Sequence, residues 1–197
     1  MLIQEKVAQA KRLLKEFDVD CWITFLRESQ INGDPTLPFL LGEAVTWHSA
    51  FVVTKSGRTQ AIVGLYDKIM VEDVGVYDEV IGYVEGIKGP LQDLLKQVNP
   101  ATIAANYSEG SEICDGLTHG MYLTLSALLT EIGMGKRMVS AERIVSALRG
   151  RKTPFELQSI RAAIDHTQEI LSWPMAMTNF RMVWDIRWDA MPTTARR

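Results

Sequence analysis

The apolar positions along the chain switch between helical and strand-like spacing. Apolar residues recur at helical intervals over residues 3–17, and residues 21–25 then form a short apolar run typical of a buried strand. Two β-rich runs, residues 46–53 and 59–63, flank the compact turn sequence Lys55-Ser56-Gly57-Arg58, which predicts a β-hairpin. The hairpin introduces antiparallel pairing into the predicted sheet.

The rest of the chain continues this alternation of helices and strands. Trp22 and Trp47 fall within predicted strands, so both are expected in the core. Alternating elements with one hairpin predict an α/β fold in which helices cover both faces of a mixed β-sheet. Further strands are predicted at residues 79–84, 102–107 and 137–139, and further helices at residues 66–74, 90–98 and 117–132.

Residues 140–171 are predicted to form two helices joined by a basic hinge. The second helix has a strong start signal in Thr153-Pro154-Phe155-Glu156, which combines a capping Thr, Pro at the first helical position and an acid in the first turn. We therefore interpret residues 1–150 as one domain, residues 151–171 as a connector helix, and residues 172–197 as an atypical tail.

Composition and charge exclude several classes of protein. With 197 residues, 47% of them hydrophobic, the chain is long enough for one α/β domain with an appendage. Its net charge of −3 and scattered basic residues give no basic face, so nucleic acid is excluded as an expected partner. The frequent charges of the first 17 residues suit neither a signal peptide nor a membrane span, so we expect a cytoplasmic protein. Cys21 and Cys114 lack metal-site spacing and are predicted to be free thiols.

The sequence carries no recognisable catalytic motif. His48, His119 and His166 have neither H-x-x-x-H nor H-E-x-x-H spacing, and His48 is predicted to lie on a strand. Neither the G-x-S-x-G motif of hydrolases nor a glycine-rich phosphate-binding motif is present. We therefore assign no catalytic, cofactor-binding or metal-binding residues.

Three regions are candidates for a pocket or an interface. The polar loop at residues 27–38 is long enough to form a binding surface. Residues 115–119 lead into a helix and suit either anion binding or simple helix capping. The basic hinge either pairs with acids across a domain or subunit boundary or is solvated. The residues proposed for a pocket or interface are Asp34, Phe39, His48, Asp115, His119, Arg149 and Arg151.

Four segments of the chain resemble a known family in their order and spacing. They are residues 19–23 after the opening helix, residues 38–42, the turn at residues 56–58, and residues 144–156 with their Arg-Gly-Arg-Lys-Thr-Pro-Phe-Glu run. Over residues 1–171 the chain resembles the N-terminal domain of the creatinase, aminopeptidase P and prolidase family, the Xaa-Pro "pita-bread" metallopeptidases. The resemblance implies a mixed-sheet unit similar to a ribonuclease H-like fold, without its active-site carboxylates.

The resemblance also implies where the chemistry of this family resides. In the family, a following domain holds two divalent metal ions, such as manganese, cobalt or zinc, on two aspartates, a histidine and two glutamates. After His166 the acids are only Glu169, Asp185 and Asp189, so no ligand set is carried over and no cofactor is expected in this chain. The tail at residues 172–197 is interpreted as a remnant or replacement of that catalytic domain.

The leading hypothesis is therefore a non-catalytic N-terminal domain of an Xaa-Pro peptidase, inactive by itself, which serves oligomerisation and shaping of a substrate site. The expected partners are further copies, in a homodimer or higher oligomer, or a separate catalytic domain, with neither nucleic acid nor a membrane. One alternative is a free-standing small-molecule binding module whose pocket uses residues 27–42 and 115–119. Another is a docking subunit of a separately encoded peptidase.

Overall fold

The computed structural model of the chain describes residues 2–31 and 33–172. Within them, a six-stranded mixed sheet has the strand order β4-β3-β2-β1-β5-β6. Its strands are β1 Cys21–Leu26, β2 Ser49–Thr54, β3 Thr59–Gly64, β4 Glu79–Tyr83, β5 Ile103–Ala105 and β6 Met138–Ser140. The α-helices are α1 Leu2–Glu16, α2 Leu37–Leu40, α3 Lys68–Asp73, α4 Lys88–Val98, α5 His119–Glu131, α6 Glu142–Gly150 and α7 Pro154–Ser172.

The direction of β2 determines the topology of the sheet. In the described part of the chain, β2 runs antiparallel to β1 and β3, whereas the remaining neighbouring pairs are parallel. The carboxyl ends of β1, β3, β4, β5 and β6 therefore meet along one edge of the sheet, which we call the carboxyl edge. Open α/β sheets commonly bind ligands outside the carboxyl ends of their strands.

Helices bury both faces of the sheet, as the sequence predicts. Alternate residues of β1 point to opposite faces, so Trp22 packs in one apolar cluster and Ile23 in the other. The Trp22 cluster contains side chains from α1, α2, α3 and α6, and the Ile23 cluster contains side chains from α4 and α5. Every position of β1, β2 and β3 is buried, which explains why these strands are apolar along their whole length.

The hairpin is confirmed, but its first strand begins at Ser49 instead of Thr46. Leu26 pairs with Ser49 at the end of the β1–β2 ladder. Beyond that point Glu28 adopts a left-handed backbone conformation with φ 46°, and the chain leaves regular pairing. His48 and Trp47 consequently lie outside the strand, and Trp47 is 37% exposed, so the predictions of a strand position and a core position were wrong.

Three further expectations can be compared with the structure. The polar loop predicted at residues 27–38 ends two residues earlier than expected, because the short helix α2 begins at Leu37 and carries Pro38 in its first turn. Cys21 and Cys114 are free, as predicted, and both are buried. Among the described helices, none has the length and apolar character needed to cross a bilayer.

The chain divides into two compact units, residues 1–153 and a second unit that begins at Pro154. The first unit contains the whole sheet with α1–α6. The described part of the second unit is α7, a helix of 19 residues. The predicted tail, residues 172–197, lies outside the described residues apart from the helical backbone of Ser172.

Candidate functional site

A cavity of about 680 Å³ lies at the carboxyl edge of the sheet. Its walls are residues 25–28 at the end of β1, residues 46–48 before β2, and residues 83–87 at the end of β4, with Ile31, Gly116, Thr118 and Met121. We call this cavity the edge pocket. Its position and volume are those expected of a small-molecule site in an open α/β sheet.

Trp47 forms an aromatic wall of the edge pocket. A Cβ atom at Gly64 would lie only 2.9–3.1 Å from Trp47 side-chain atoms, so the glycine permits the indole to rest directly on the end of β3. The ring centroids of Tyr66 and Tyr83 both lie 5.8 Å from that of Trp47. The Tyr83 hydroxyl also donates to the His48 carbonyl at 2.8 Å. These contacts hold the wall in place before any ligand binds.

Charged side chains of both signs line the edge pocket. Arg27 and Glu28 follow β1, whereas Glu85 follows β4, and all three are exposed. Since three strand spacings separate β1 from β4, the two walls lie about 14 Å apart at the sheet. No ion pair of these three side chains occurs within residues 2–31 and 33–172.

His48 is the one residue of the predicted site that lines the edge pocket. Burial, with a smaller contribution from the Arg27 charge, lowers the pKa of His48 below its usual value. This shift favours the neutral imidazole over the positively charged form.

Asp34 lies next to the edge pocket in a buried polar network. Its side chain is 2% exposed, and its carboxylate accepts hydrogen bonds from the Thr36 amide at 2.8 Å and the Thr36 hydroxyl at 2.6 Å. The Asn106 amide donates to both Asp34 oxygens at 3.0 and 2.9 Å, and its own oxygen accepts from Trp22 Nε1 at 2.7 Å. A Cβ at Gly116 would lie 2.2 Å from Asp34 Oδ2, so the network packs directly against this glycine. Since Gly116 lines the edge pocket, the network lies behind that part of the pocket wall.

The hinge arginines make contacts within the first unit. Arg149 donates to the Pro35 carbonyl at 2.8 Å, and its guanidinium lies 5.7 Å from the centroid of the Phe39 ring. Arg151 forms two hydrogen bonds with the Glu16 carboxylate, at 2.6 and 2.7 Å. Neither arginine is simply solvated, and the acid that Arg151 contacts belongs to α1 of the same unit. Phe39 and both arginines lie outside the edge pocket.

Asp115 and His119 are exposed and do not line the pocket, although their neighbours Gly116 and Thr118 do. Asp115 accepts one long hydrogen bond from the Ser108 amide at 3.3 Å. Thr118 occupies the position that caps α5, but its side chain makes no capping hydrogen bond. The turn at residues 115–119 thus contributes Gly116 and Thr118 to the pocket, whereas the two predicted residues, Asp115 and His119, do not line it.

Sequence reasoning missed the residues that form most of the edge pocket. Trp47 was expected in the core, and Tyr83, Glu28 and Glu85 were not singled out. These residues come from the ends of separate strands, and only the strand order brings them together. The sequence indicates this pocket only weakly, because Arg27 and Glu85 are simply the first charged residues after two apolar runs.

Solved structures provide the comparison that decides the fold. No protein-family model matches the chain, and no curated protein matches it. The N-terminal domain of Xaa-Pro dipeptidase from Lactobacillus brevis aligns with a TM-score of 0.54 at 15% identity, over 74% of this chain and 99% of that domain. The chain has the fold of that domain. Identity at this level shows the fold alone.

The same fold recurs in longer Xaa-Pro peptidase structures. The X-Pro aminopeptidase from Thermotoga maritima matches with a TM-score of 0.59 at 13% identity, over 83% of this chain. The Xaa-Pro dipeptidase from Bacillus anthracis matches with a TM-score of 0.55 at 18% identity, over 85% of this chain. In both cases this chain spans 43% of the other protein's length.

The described residues of this dipeptidase-domain fold do not offer the ligand set that paired divalent metals need. In residues 2–31 and 33–172, no three His, Cys, Asp or Glu side chains converge on one point. A dinuclear site requires several such donors around each cation. The two-metal chemistry implied by the sequence resemblance therefore has no set of ligands in the described part of the chain.

Proposed function

We propose that this chain acts as a non-catalytic domain of the Xaa-Pro peptidase type, which associates with further copies of itself and helps to shape a substrate site. The observation that carries the proposal is the fold, which matches nearly the whole of an isolated Xaa-Pro dipeptidase N-terminal domain. The preformed edge pocket, which shares no residue with α7, is consistent with a role in shaping a site.

The proposal includes a cytoplasmic location and no metal cofactor held by this chain. Both buried cysteines are free, which suits a reducing compartment. The second part stays a prediction from the sequence.

A peptidase assay tests the non-catalytic role directly. The purified chain is incubated with manganese, cobalt or zinc and an Xaa-Pro dipeptide, beside a full-length Xaa-Pro dipeptidase as the positive control. We expect no hydrolysis above the metal-only background. Metal-dependent turnover that is abolished by a chelator would contradict the proposal.

The edge pocket favours a second candidate function, a small-molecule binding module. Its aromatic wall at Trp47 and Tyr83 suits the ring of a small ligand, and the exposed Glu85 carboxylate beside this wall suits an amine. We therefore propose a small aromatic amine as the ligand class for this function. A docking role on a separately encoded peptidase stays a prediction from the sequence.

A matched pair of probes tests this second function. Binding of phenethylamine and of the neutral 2-phenylethanol is followed by the NMR signal of the Trp47 indole, with Trp47→Phe used for assignment. We expect the amine to bind about fivefold more tightly, because one exposed carboxylate contributes up to about 1 kcal/mol. Glu85→Gln should remove the difference, whereas Glu109→Gln, an exposed acid outside the pocket, should not. Equal affinity for both probes would exclude this ligand class.

A further inference from the structure

Strand β4 lies at one end of the sheet, and within residues 2–31 and 33–172 only β3 pairs with it. In such a strand, alternate backbone N–H and C=O groups point away from the neighbour. In the described part of the chain, the backbone of Glu79–Tyr83 makes no hydrogen bond outside its ladder with β3. We call its unpaired side the β4 edge. It is longer than the opposite end of the sheet, where β6 has three residues and β4 has five.

A groove of about 400 Å³ lies beside the β4 edge, on the face of the sheet that α4 covers. Its apolar walls are Ile81, Pro90 and Leu94, and Gly89 leaves space because nothing lies within 4 Å of a Cβ added there. Side chains of an added strand would alternate between the two faces of the sheet, so every second one would enter this groove. The edge and the groove together fit a peptide in extended conformation.

Charge distinguishes a peptide of another protein from a second copy of this chain as the occupant. Residues 76–87, which contain β4, have three acids and no basic residue. The acids are Asp78, Glu79 and Glu85. In a full-length antiparallel pairing of two β4 edges, Glu79 of one copy would be the diagonal neighbour of Glu85 of the other, twice by symmetry. Like charges across strands destabilise a pair, so the β4 edge fits a strand with basic residues.

The acids of the groove are open to a further cation. Glu79 and Asp93 both line the groove. Arg58 and Lys96 lie 3.7 and 3.8 Å from their carboxylates, which is longer than a charge-assisted hydrogen bond, and neither cation lines the groove. Glu79 also accepts from Gln60 at 2.7 Å, but a carboxylate has further lone pairs. A lysine or arginine of an incoming strand would therefore meet two carboxylates.

We propose that the β4 edge docks an extended basic segment of another protein, which joins the sheet as an additional strand. The backbone of that segment pairs with β4, its basic side chains enter the groove beside α4, and its other side chains lie over Leu65 on the opposite face. Leu65 is 48% exposed, and its Cδ1 would lie 3.3 Å from a Cβ at Gly82, which places it on that face. This docking is separate from the proposed association between copies.

A synthetic peptide tests the docking directly. The probe is fluorescein-labelled Thr-Lys-Val-Lys-Val-Lys-Thr with an amidated carboxyl end, and its binding to the full chain is followed by fluorescence anisotropy. We expect saturable binding with a Kd below about 1 mM. The same peptide with Glu in place of every Lys should bind at least about tenfold more weakly, because like charges then meet. No binding of the lysine peptide up to about 1 mM, or equal binding of the two peptides, would overturn the proposal.

Backbone pairing distinguishes strand addition from simple charge attraction. Two versions of the lysine peptide carry N-methyl groups on alternate residues, on one edge of the strand or on the other. Methylation of the edge that pairs with β4 should raise Kd at least about tenfold, and methylation of the other edge should change it less than about twofold, because one set of N–H groups donates to β4. Amide hydrogen exchange of residues 79–83 should slow on binding. Equal effects of the two methylated peptides would contradict strand addition.

Two matched glycine variants test the position of the groove. Gly89 and Gly120 are each the second residue of a helix, and nothing lies within 4 Å of a Cβ added at either. Gly89→Trp should fill the groove and raise the Kd of the lysine peptide at least about tenfold, whereas Gly120→Trp, outside the groove, should leave it unchanged. Asp93→Asn should raise Kd about threefold. Circular dichroism checks that each variant is folded, and equal Kd values for the two tryptophan variants would exclude this groove.

The mass in solution separates this docking from association between copies. Sedimentation equilibrium is measured for the wild type and for Gly89→Trp. A dimer that forms equally in both would agree with association by another surface and leave the β4 edge to the peptide. A dimer that Gly89→Trp dissociates would assign the β4 edge to a second copy and overturn the docking proposal. Peptidase turnover would refute the non-catalytic role without affecting the peptide result.

Discussion

Removing the Asp34 carboxyl should destabilise the first unit by about 3 kcal/mol. The carboxylate is 2% exposed and accepts from the Thr36 amide, the Thr36 hydroxyl and the Asn106 amide. In Asp34→Ala the Thr36 amide loses its acceptor in a site with little access to water, whereas the Asn106 amide keeps only the Thr24 and Thr36 hydroxyl oxygens, both at 3.1 Å. Each buried donor without a partner costs about 1–3 kcal/mol, and relief of the desolvation of the carboxylate offsets part of the sum.

Asp34→Asn removes the charge and replaces one hydrogen-bond acceptor with a donor. The new amide nitrogen would occupy the position of Oδ2, where Asn106 Nδ2 donates at 2.9 Å, so two donors would face each other. Asn106 cannot rotate its amide to compensate, because its oxygen already accepts from Trp22 Nε1. We expect a loss of about 1–2 kcal/mol. Asp93→Asn is the control, since Asp93 is exposed and makes one long surface ion pair, and it should change stability by less than about 0.5 kcal/mol.

The pH dependence of the Asp34 effect has a defined sign. Burial raises the pKa of Asp34 above its usual value, against the opposing hydrogen bonds from Thr36 and Asn106. Folding therefore favours the protonated acid, so its contribution is complete below the ordinary pKa and is lost as the pH rises through the raised value. The stability advantage of the wild type over Asp34→Asn should be larger at pH 4 than at pH 7.

Urea unfolding followed by far-ultraviolet circular dichroism measures these differences from pH 4 to pH 8. The reasoning fails if Asp34→Ala lies within about 0.5 kcal/mol of the wild type at pH 7. It also fails if the advantage of the wild type over Asp34→Asn grows as the pH rises.

Two further predictions concern Gly64 and Cys21. Gly64→Ala would place a methyl group 2.9–3.1 Å from Trp47 side-chain atoms and should cost about 1–3 kcal/mol in urea unfolding. Gly89→Ala, where the added methyl meets open space, should not destabilise, and equal effects of the two substitutions would refute the argument. Burial raises the pKa of the Cys21 thiol to about 12, so Ellman's reagent at pH 8 should label Cys21 only after urea unfolds the protein. Rapid labelling of Cys21 in native buffer would contradict this.

The general architecture was predictable because its signals are local. The period of the apolar residues identified α1, β1 and the β2–β3 hairpin, and the start signal at Thr153-Pro154 identified α7. The start of β2 was not predictable. Residues 46–48 have strand-like composition, but they precede Ser49, which pairs with Leu26 at the end of the β1–β2 ladder. Their exposure depends on where β1 ends, which their own sequence does not encode.

The candidate site was less predictable than the fold because it depends on strand order. Arg27 and Glu85 are 58 positions apart in sequence, and they line the same cavity because β4, β3, β2 and β1 are neighbours. Asp34 presents the same difficulty, since its partner Asn106 lies 72 residues away at the end of β5. The polar character of residues 27–38 and 115–119 could indicate a binding region, but not which side chains face the cavity.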